Sequence, residues 1–220
     1  MRQTVRSYDF DSTSPHLCPR GAAVAVVLAG GDGRRMGGSK PLRRLGATTL
    51  VANALKLARN YCPTVAVAVR SPDQVSEAID ADLVIDLPGL EGPLAGLAAG
   101  LAFARRRGAR YVLTLPCDAP RLPADLRSRL EAALADGGPA RVAVALSERR
   151  LHPTCALWRA DILPELRAYA ASGGRSLTGL AGAVCMTTVE WDTRDADPFA
   201  NANTPEELAA LQPHAVGFGY

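Results

Sequence analysis

Residues Leu28 to Lys40 read LAGGDGRRMGGSK, a stretch in which five glycines (Gly30, Gly31, Gly33, Gly37 and Gly38) are interleaved with three cations (Arg34, Arg35 and Lys40). Glycine lets a backbone take positive φ or come close to a ligand, and successive bare N–H groups in such a loop form a nest for an anion. The cations offset charge that the amides alone do not balance. A polyphosphate fits that combination. The apolar, β-branched run just before it, Val24 to Leu28, is the kind of buried parallel strand that would deliver the loop to a ligand.

Two common phosphate loops do not match. A Walker A loop requires G-x-x-x-x-G-K-[ST], whereas Ser39 separates Gly38 from Lys40 and Pro41 takes the hydroxyl position. The dinucleotide fingerprint requires G-x-G-x-x-G. Gly31, Gly33 and Gly37 are spaced G-x-G-x-x-x-G, and the second apolar run, Val65 to Val69, ends at Arg70 rather than at an acid.

Four later stretches carry further candidates. Leu83-Val84-Ile85-Asp86 ends in a carboxylate and leads to Glu91-Gly92-Pro93-Leu94-Ala95-Gly96. As plain structure this is a proline-initiated helix; as a site, Gly92 to Gly96 passes under a nucleobase whose donor edge, or ribose, meets Asp86. Tyr111 to Leu115 leads into Pro116-Cys117-Asp118-Ala119-Pro120. Asp118, at the tip of a strand beside the glycine loop, is the first candidate to hold Mg²⁺, the alternative being a turn residue that caps its own backbone. His152-Pro153-Thr154 precedes a short apolar strand, and a histidine there often only packs. Gly173-Gly174-Arg175-Ser176 is either a turn with one cation for a phosphate or a helix start. In Asn201-Ala202-Asn203-Thr204-Pro205-Glu206-Glu207, Thr204 and Glu207 make a capping box around Pro205, and the two asparagines offer amides to a metal or a phosphate.

The elements that must position these residues follow from apolar periodicity. Strands are expected near 22–28, 64–69, 82–86, 111–115, 141–146 and 184–190, and helices near 48–60, 72–80, 93–107, 123–135, 160–170 and 204–211. Such alternation predicts βαβ crossovers and a three-layer α/β/α fold around a mostly parallel sheet, with ligands at the carboxyl ends of the strands. With 220 residues, 48% of them hydrophobic, and no apolar run near the ~20 that span a bilayer, one soluble domain over 21–212 is expected, between a flexible extension at 1–20 and a tail at 213–220. A net charge of +3 spread along the chain predicts neither a nucleic-acid nor a membrane partner. Arginines outnumber lysines 23 to 2, which sets Lys40 apart as a compact point charge. The five cysteines are odd in number and lack a C-x-x-C pair, so reduced, buried thiols in a cytoplasmic protein are expected, and with only three histidines any metal should be oxygen-bound.

From about Ala22 to Leu211 the order LAGGDGRRMGGSK, GPLAG, PCDAP, HPT and NANTPEEL resembles the molybdenum cofactor guanylyltransferases, members of the MobA-like nucleotidyltransferases. The resemblance implies a Rossmann-like fold of the nucleotide-diphospho-sugar transferase type and transfer of GMP from GTP to molybdopterin, with release of pyrophosphate. It implies Mg²⁺ as cofactor, held by Asp118 and Asn203; a nucleotide site of Leu28, Ala29, Gly30, Gly31, Lys40, Asp86, Gly92, Pro93, Leu94 and Asp118; and an acceptor side with His152, Pro153, Thr154, Arg175 and Asn201. Lys40, Arg34 and Asp118 would be the catalytic groups: Arg34 on the leaving pyrophosphate, Lys40 on charge building at phosphorus. A monomer that hands its product to molybdoenzymes or their chaperones is expected. Two positions depart from the family pattern. Ser39 stands where many relatives have an acid, and Arg70 stands where some have an asparagine on the nucleotide. Guanine preference is therefore less firmly implied than nucleotidyl transfer, and a cytidylyltransferase or a nucleotide-binding module without turnover is the alternative.

Overall fold

The computed structural model describes residues 23–31, 40–75, 79–135, 138–194, 196–202, 204 and 206–208. Seven strands form one sheet: β1 (Ala23–Leu28), β4 (Val65–Val69), β5 (Asp82–Ile85), β6 (Tyr111–Pro116), β7 (Val142–Ser147), β8 (Arg150–Arg159) and β9 (Met186–Glu190), in the order β5-β4-β1-β6-β8-β7-β9. A two-stranded hairpin, β2 (Arg44–Leu45) and β3 (Thr48–Thr49), turns at Gly46 with φ of 60°. The helices are α1 (Leu50–Tyr61), α2 (Gly92–Arg106), α3 (Leu126–Ala135), α4 (Leu163–Ala171) and α5 (Leu177–Ala183).

Strand order decides where a ligand can sit. From β1 the chain moves to β4 and β5 on one side, then returns to place β6 on the other side of β1. That reversal opens a crevice at the carboxyl end of β1, between the loops that follow β1 and β6. All pairings among β5, β4, β1 and β6 are parallel, as is β7 with β9; only β8 runs antiparallel, between β6 and β7.

Strand alternation divides the core. Ala23, Ala25 and Val27 of β1 and Val65, Val67 and Val69 of β4 face α1 and α3, where Val51, Leu55, Leu126 and Leu130 are buried. Val24 and Val26, with Ala66 and Ala68, face α2, α4 and α5. The α2 side is lined with small residues for a physical reason. A Cβ on Gly96 would stand 2.9 Å from Leu28 Cδ2 and 3.3 Å from Ala68 Cβ, and one on Gly100 would stand 2.9 Å from Val26 Cγ2. The bare helix face thus lies directly on β1 and β4, which brings the N-terminus of α2 over the crevice.

Several expected elements are corrected. Of the helix expected over 72–80 the described residues show a 3₁₀ turn at Pro72–Val75, with Ile79 not helical and 76–78 outside the described residues; Gln74 Oε1 reaches back to accept from the Arg70 N–H at 2.7 Å, a bond to an N-terminal donor that leaves continuation beyond Val75 unaided. The helix expected from residue 123 starts at Leu126. The H-P-T segment, expected as a lead-in to a short strand, lies inside the ten-residue β8. A bulge there lets Ala145 pair with His152 while Val144 pairs with Ala156, because Pro153 has no N–H for the ladder. The turn from β7 to β8 places Glu148 and Arg149 at φ of 47° and 64°, the backbone of a tight two-residue hairpin. Helix α5 was expected only as a possible start at Ser176, whose side chain does accept from the Gly179 N–H at 3.0 Å. The capping box is present: Thr204 N–H donates to Glu207 and the Glu207 N–H donates to Thr204 Oγ1, both at 3.2 Å. Cys62, Cys117 and Cys155 are buried free thiols as expected, whereas Cys185 is exposed and Cys18 lies outside the described residues.

Glycine contacts separate two substitutions that look alike in sequence. Gly100→Leu should lose about 1–3 kcal/mol or more by driving α2 off β1. Gly182→Ala, a helical site with nothing within 4 Å of the added methyl, should gain about 0.5–1 kcal/mol. Urea melts of the two variants check this.

Candidate active site

Register alone brings the first candidates together. Leu28 of β1 pairs with Pro116 of β6 and with Ala68 of β4, so Gly30 and Asp118, each two residues farther on, leave the sheet side by side. Val69 pairs with Ile85, which places Asp86 at the same edge, its N–H donating to the Val69 carbonyl at 2.8 Å. Ala29 extends β1 by one more bond, from its N–H to the Ala68 carbonyl at 2.9 Å, and Gly31 stands exposed beyond it.

Lys40 opens a 3₁₀ turn, Lys40–Leu42, whose Pro41 is buried and which packs on the start of α1. That turn aims the Lys40 ammonium at Asp118, and the two form an ion pair in which each side chain is only 13% exposed. The pair joins the end of the β1 loop to the end of β6. It also shapes its neighbour: burial, helped by the Asp118 charge and opposed by Lys40, pushes the Cys117 thiol up to about 12. Burial first, then Asp118, likewise raises Cys155. Neither cysteine is a thiolate at neutral pH, so neither is a nucleophile here.

Asp86 is held under strain of another kind. Its Oδ2 sits 2.8 Å from where a Gly30 Cβ would be, its Oδ1 is 3.5 Å from the Gly96 position, and Oδ1 is buried with no hydrogen-bond partner. Burial raises its pKa above the ordinary carboxylate value, partly countered by Arg70. A carboxylate that closes against two glycines and has one buried oxygen without a donor is suited to receive one from a ligand. Gly92, at φ of 59°, and Pro93 begin α2 with its first amides open, whereas the Leu94 side chain is buried in the core, so only its backbone can meet a nucleotide.

The chain returns to this edge at its end. The Ala202 N–H donates to the Asp118 carbonyl at 2.9 Å, which sets Asn201 next to the Lys40–Asp118 pair. Arg34 and Asn203 lie outside the described residues. Among the described residues no group of three or more His, Cys, Asp or Glu side chains could hold a metal. One carboxylate with a neutral amide nearby fits a hard divalent ion.

The acceptor candidates are dispersed. His152 is 6% exposed, its Nε2 is 2.7 Å from Ser147 Oγ, and its ring stacks on Phe199 at 4.6 Å. Burial lowers its proton affinity, opposed by Asp197 and assisted by Arg150, so it is neutral at physiological pH. Its imidazole therefore faces protein, and only Pro153 and Thr154 of the bulge keep partial exposure. Arg175 is exposed in the turn between α4 and α5. Ser147 and Asp197, which engage His152 through one hydroxyl, were not legible beforehand: no spacing links positions 147, 152 and 197, and only the β7–β8 hairpin and the returning chain join them.

A family model described as a MobA-like NTP transferase domain matches residues 25–184. The chain belongs to that family. It is 38% identical over 196 residues to a molybdenum cofactor guanylyltransferase of Rhodopseudomonas palustris, covering 87% of this chain and 91% of that protein. It is 40% identical over 191 residues to another of Rhodobacter capsulatus, covering 86% and 94%. Its fold matches a molybdopterin-guanine dinucleotide biosynthesis protein A from Archaeoglobus fulgidus with a TM-score of 0.70 and 21% identity, covering 85% and 95% of the two chains. It also matches a CMP:2-keto-3-deoxy-manno-octonic acid synthetase solved with CTP, at a TM-score of 0.68 and 16% identity, covering 87% and 97%. The expected three-layer nucleotidyltransferase fold is thereby established, and among the described residues no helix is long and apolar enough to cross a membrane.

Asp86 yields a prediction with a definite sign. A carboxyl whose folded-state value is raised contributes stability below its unfolded value, and that contribution is lost as pH rises through the raised value. Asp86→Asn should therefore be more stable than the parent at neutral pH, with the difference vanishing toward pH 3, and should bind nucleotide more weakly. Thermal melts across pH with a nucleotide titration test both parts.

Proposed function

We propose that this chain transfers GMP from GTP to the terminal phosphate of molybdopterin, giving the guanine dinucleotide form of the cofactor and pyrophosphate. The observation that supports this most is the convergence of the open Gly30–Gly31 backbone, the unpartnered Asp86 oxygen and the Lys40–Asp118 pair at one sheet edge. The names and coverage of the relatives support the same reading.

In this reading the triphosphate lies over the β1 loop, with Arg34 on the β- and γ-phosphates. Asp86, whose carboxylate occupies the space that a Cβ on Gly30 would take and lies against the Gly96 position, accepts from the guanine N1–H and N2–H₂ donors. The acceptor phosphate is ionised near neutral pH and needs no general base. One of its oxygens bonds to the α-phosphorus, the bond from that phosphorus to the bridging oxygen breaks, and pyrophosphate carries away the electron pair. Alignment and charge stabilisation are what this chain supplies. Lys40, which pairs with Asp118, turns its ammonium to the α-phosphate oxygens as charge gathers there. Asp118, with Asn201 and Asn203 close by in the chain, would hold Mg²⁺. When bound, that ion neutralises the facing phosphate oxygens of donor and acceptor. The acceptor lies on the β8 side, against Pro153 and Thr154 with Arg175 at its margin. The protein acts as a monomer in the cytoplasm and passes its product to molybdoenzymes.

GTP with Mg²⁺ should raise the melting temperature more than ATP, CTP or UTP. At one hundred times the dissociation constant the gain is about 2.7 kcal/mol, or roughly 5–10 °C for a chain of this size. Equal shifts for all four nucleotides would remove the guanine assignment, and a larger shift with CTP would point to the cytidylyl alternative. Asp118→Asn should stay folded and lose turnover on the order of 10²-fold, with partial recovery at high Mg²⁺. Full activity at low Mg²⁺ would exclude Asp118 as the metal ligand.

A further inference from the structure

We infer that Ser147, His152 and Asp197 form a positioning relay that fixes the C-terminal loop against the metal-binding aspartate; this deepens the reading above and rests on it. Ser147 Oγ–H donates to Asp197 Oδ1 at 3.0 Å. A hydroxyl has one proton, so its 2.7 Å bond with His152 must be donated by Nε2–H, which sets the imidazole tautomer. The order is His→Ser→Asp. A nucleophilic serine needs the histidine between itself and the acid, and Ser147 is 1% exposed, so this cluster performs no acyl or phosphoryl chemistry of its own.

Its geometry explains what it does instead. Asp197 Oδ1 also accepts the Phe199 N–H at 3.0 Å, which curls the chain at 197–200. The Phe199 ring then lies flat on His152 and edge-on to Trp191 at 5.4 Å. Three residues later the Ala202 N–H reaches the Asp118 carbonyl, with Ala202 wholly buried beside Leu50 and Leu208. The loop is thus tied at Asp197 to the β7–β8 hairpin and at Ala202 to Asp118, and Asn201 lies between the ties. With the acceptor-side strand and the metal-side loop joined through one hydroxyl, His152 acts on the reaction through Asp118 and Asn201 rather than by touching the acceptor.

The test compares Asp197→Ala, Asp197→Asn and Ser147→Ala with the parent by amide hydrogen exchange, GTP titration without metal, and GMP transfer across a Mg²⁺ series. Asp197→Ala should expose the Ala202 amide to exchange while Val144 and Leu157 in the sheet stay protected. It should lower kcat or the apparent Mg²⁺ affinity by ~10–100-fold, the usual effect of losing a group that orients a metal ligand, and leave metal-free GTP binding unchanged. Asp197→Asn keeps an acceptor oxygen at the same place and should restore both the protection and most of the turnover. Ser147→Ala should share the Asp197→Ala pattern. Continued protection of Ala202 in Asp197→Ala, loss of protection with turnover intact, or simultaneous loss of the sheet amides would each overturn the relay. A parent protein that transfers no GMP would instead overturn the proposed activity, and the Ala202 exchange would still decide whether the relay holds the loop.

Discussion

The ion pair between Lys40 and Asp118 is the contact on which the site depends, because it joins the two loops that flank the crevice at β1. A pair so little exposed contributes modest net stability, since each charge loses most of its water, yet removing either partner alone leaves a costly unmatched charge. In the proposed reaction nucleotide and metal would resolve that tension: the ammonium would turn to phosphate oxygens and the carboxylate to a cation, so two groups that neutralise each other would be released together for different partners.

Close packing on the opposite face makes the crevice possible. Gly96 and Gly100 let α2 lie on Leu28, Ala68 and Val26 without side chains between, and the same contact presses Asp86 into a space bounded by Gly30 and Gly96. The carboxylate that results is partly desolvated, and its Oδ1 lacks a donor. Burying a charge in this way lowers stability there. The antiparallel β8 serves the other half. Its bulge at Pro153 turns His152 inward onto Phe199 and leaves Pro153 and Thr154 partly open.

Much of this was legible in the chain. The alternation of apolar runs with helical patterns specified a mostly parallel three-layer fold, since a period of two or 3.6 survives in a single sequence. Residues that end strands, Gly30, Asp86 and Asp118, were identifiable because an apolar run that stops at a glycine or an acid is a local signal. The capping box at Thr204 and Glu207 was likewise written in spacing alone. Within the helix expected at 72–80 the 3₁₀ turn at Pro72–Val75 is tied by another local contact, from the Arg70 N–H to Gln74 Oε1.

What the tertiary structure decided are the pairings across long stretches of chain. Lys40 meets Asp118 only because β1 and β6 are neighbours, although 78 residues separate them. In sequence His152 is a histidine before a proline that either packs or meets an acceptor; it is buried because the chain near 199 returns to cover it. Ser147 and Asp197 have no recognisable spacing, being 50 residues apart, and acquire a role only when hairpin and returning loop share one hydroxyl. Local sequence sets backbone preference and the face of each element. Which side chains then share a proton or a charge depends on strand order, and that is settled by the packing of the whole sheet.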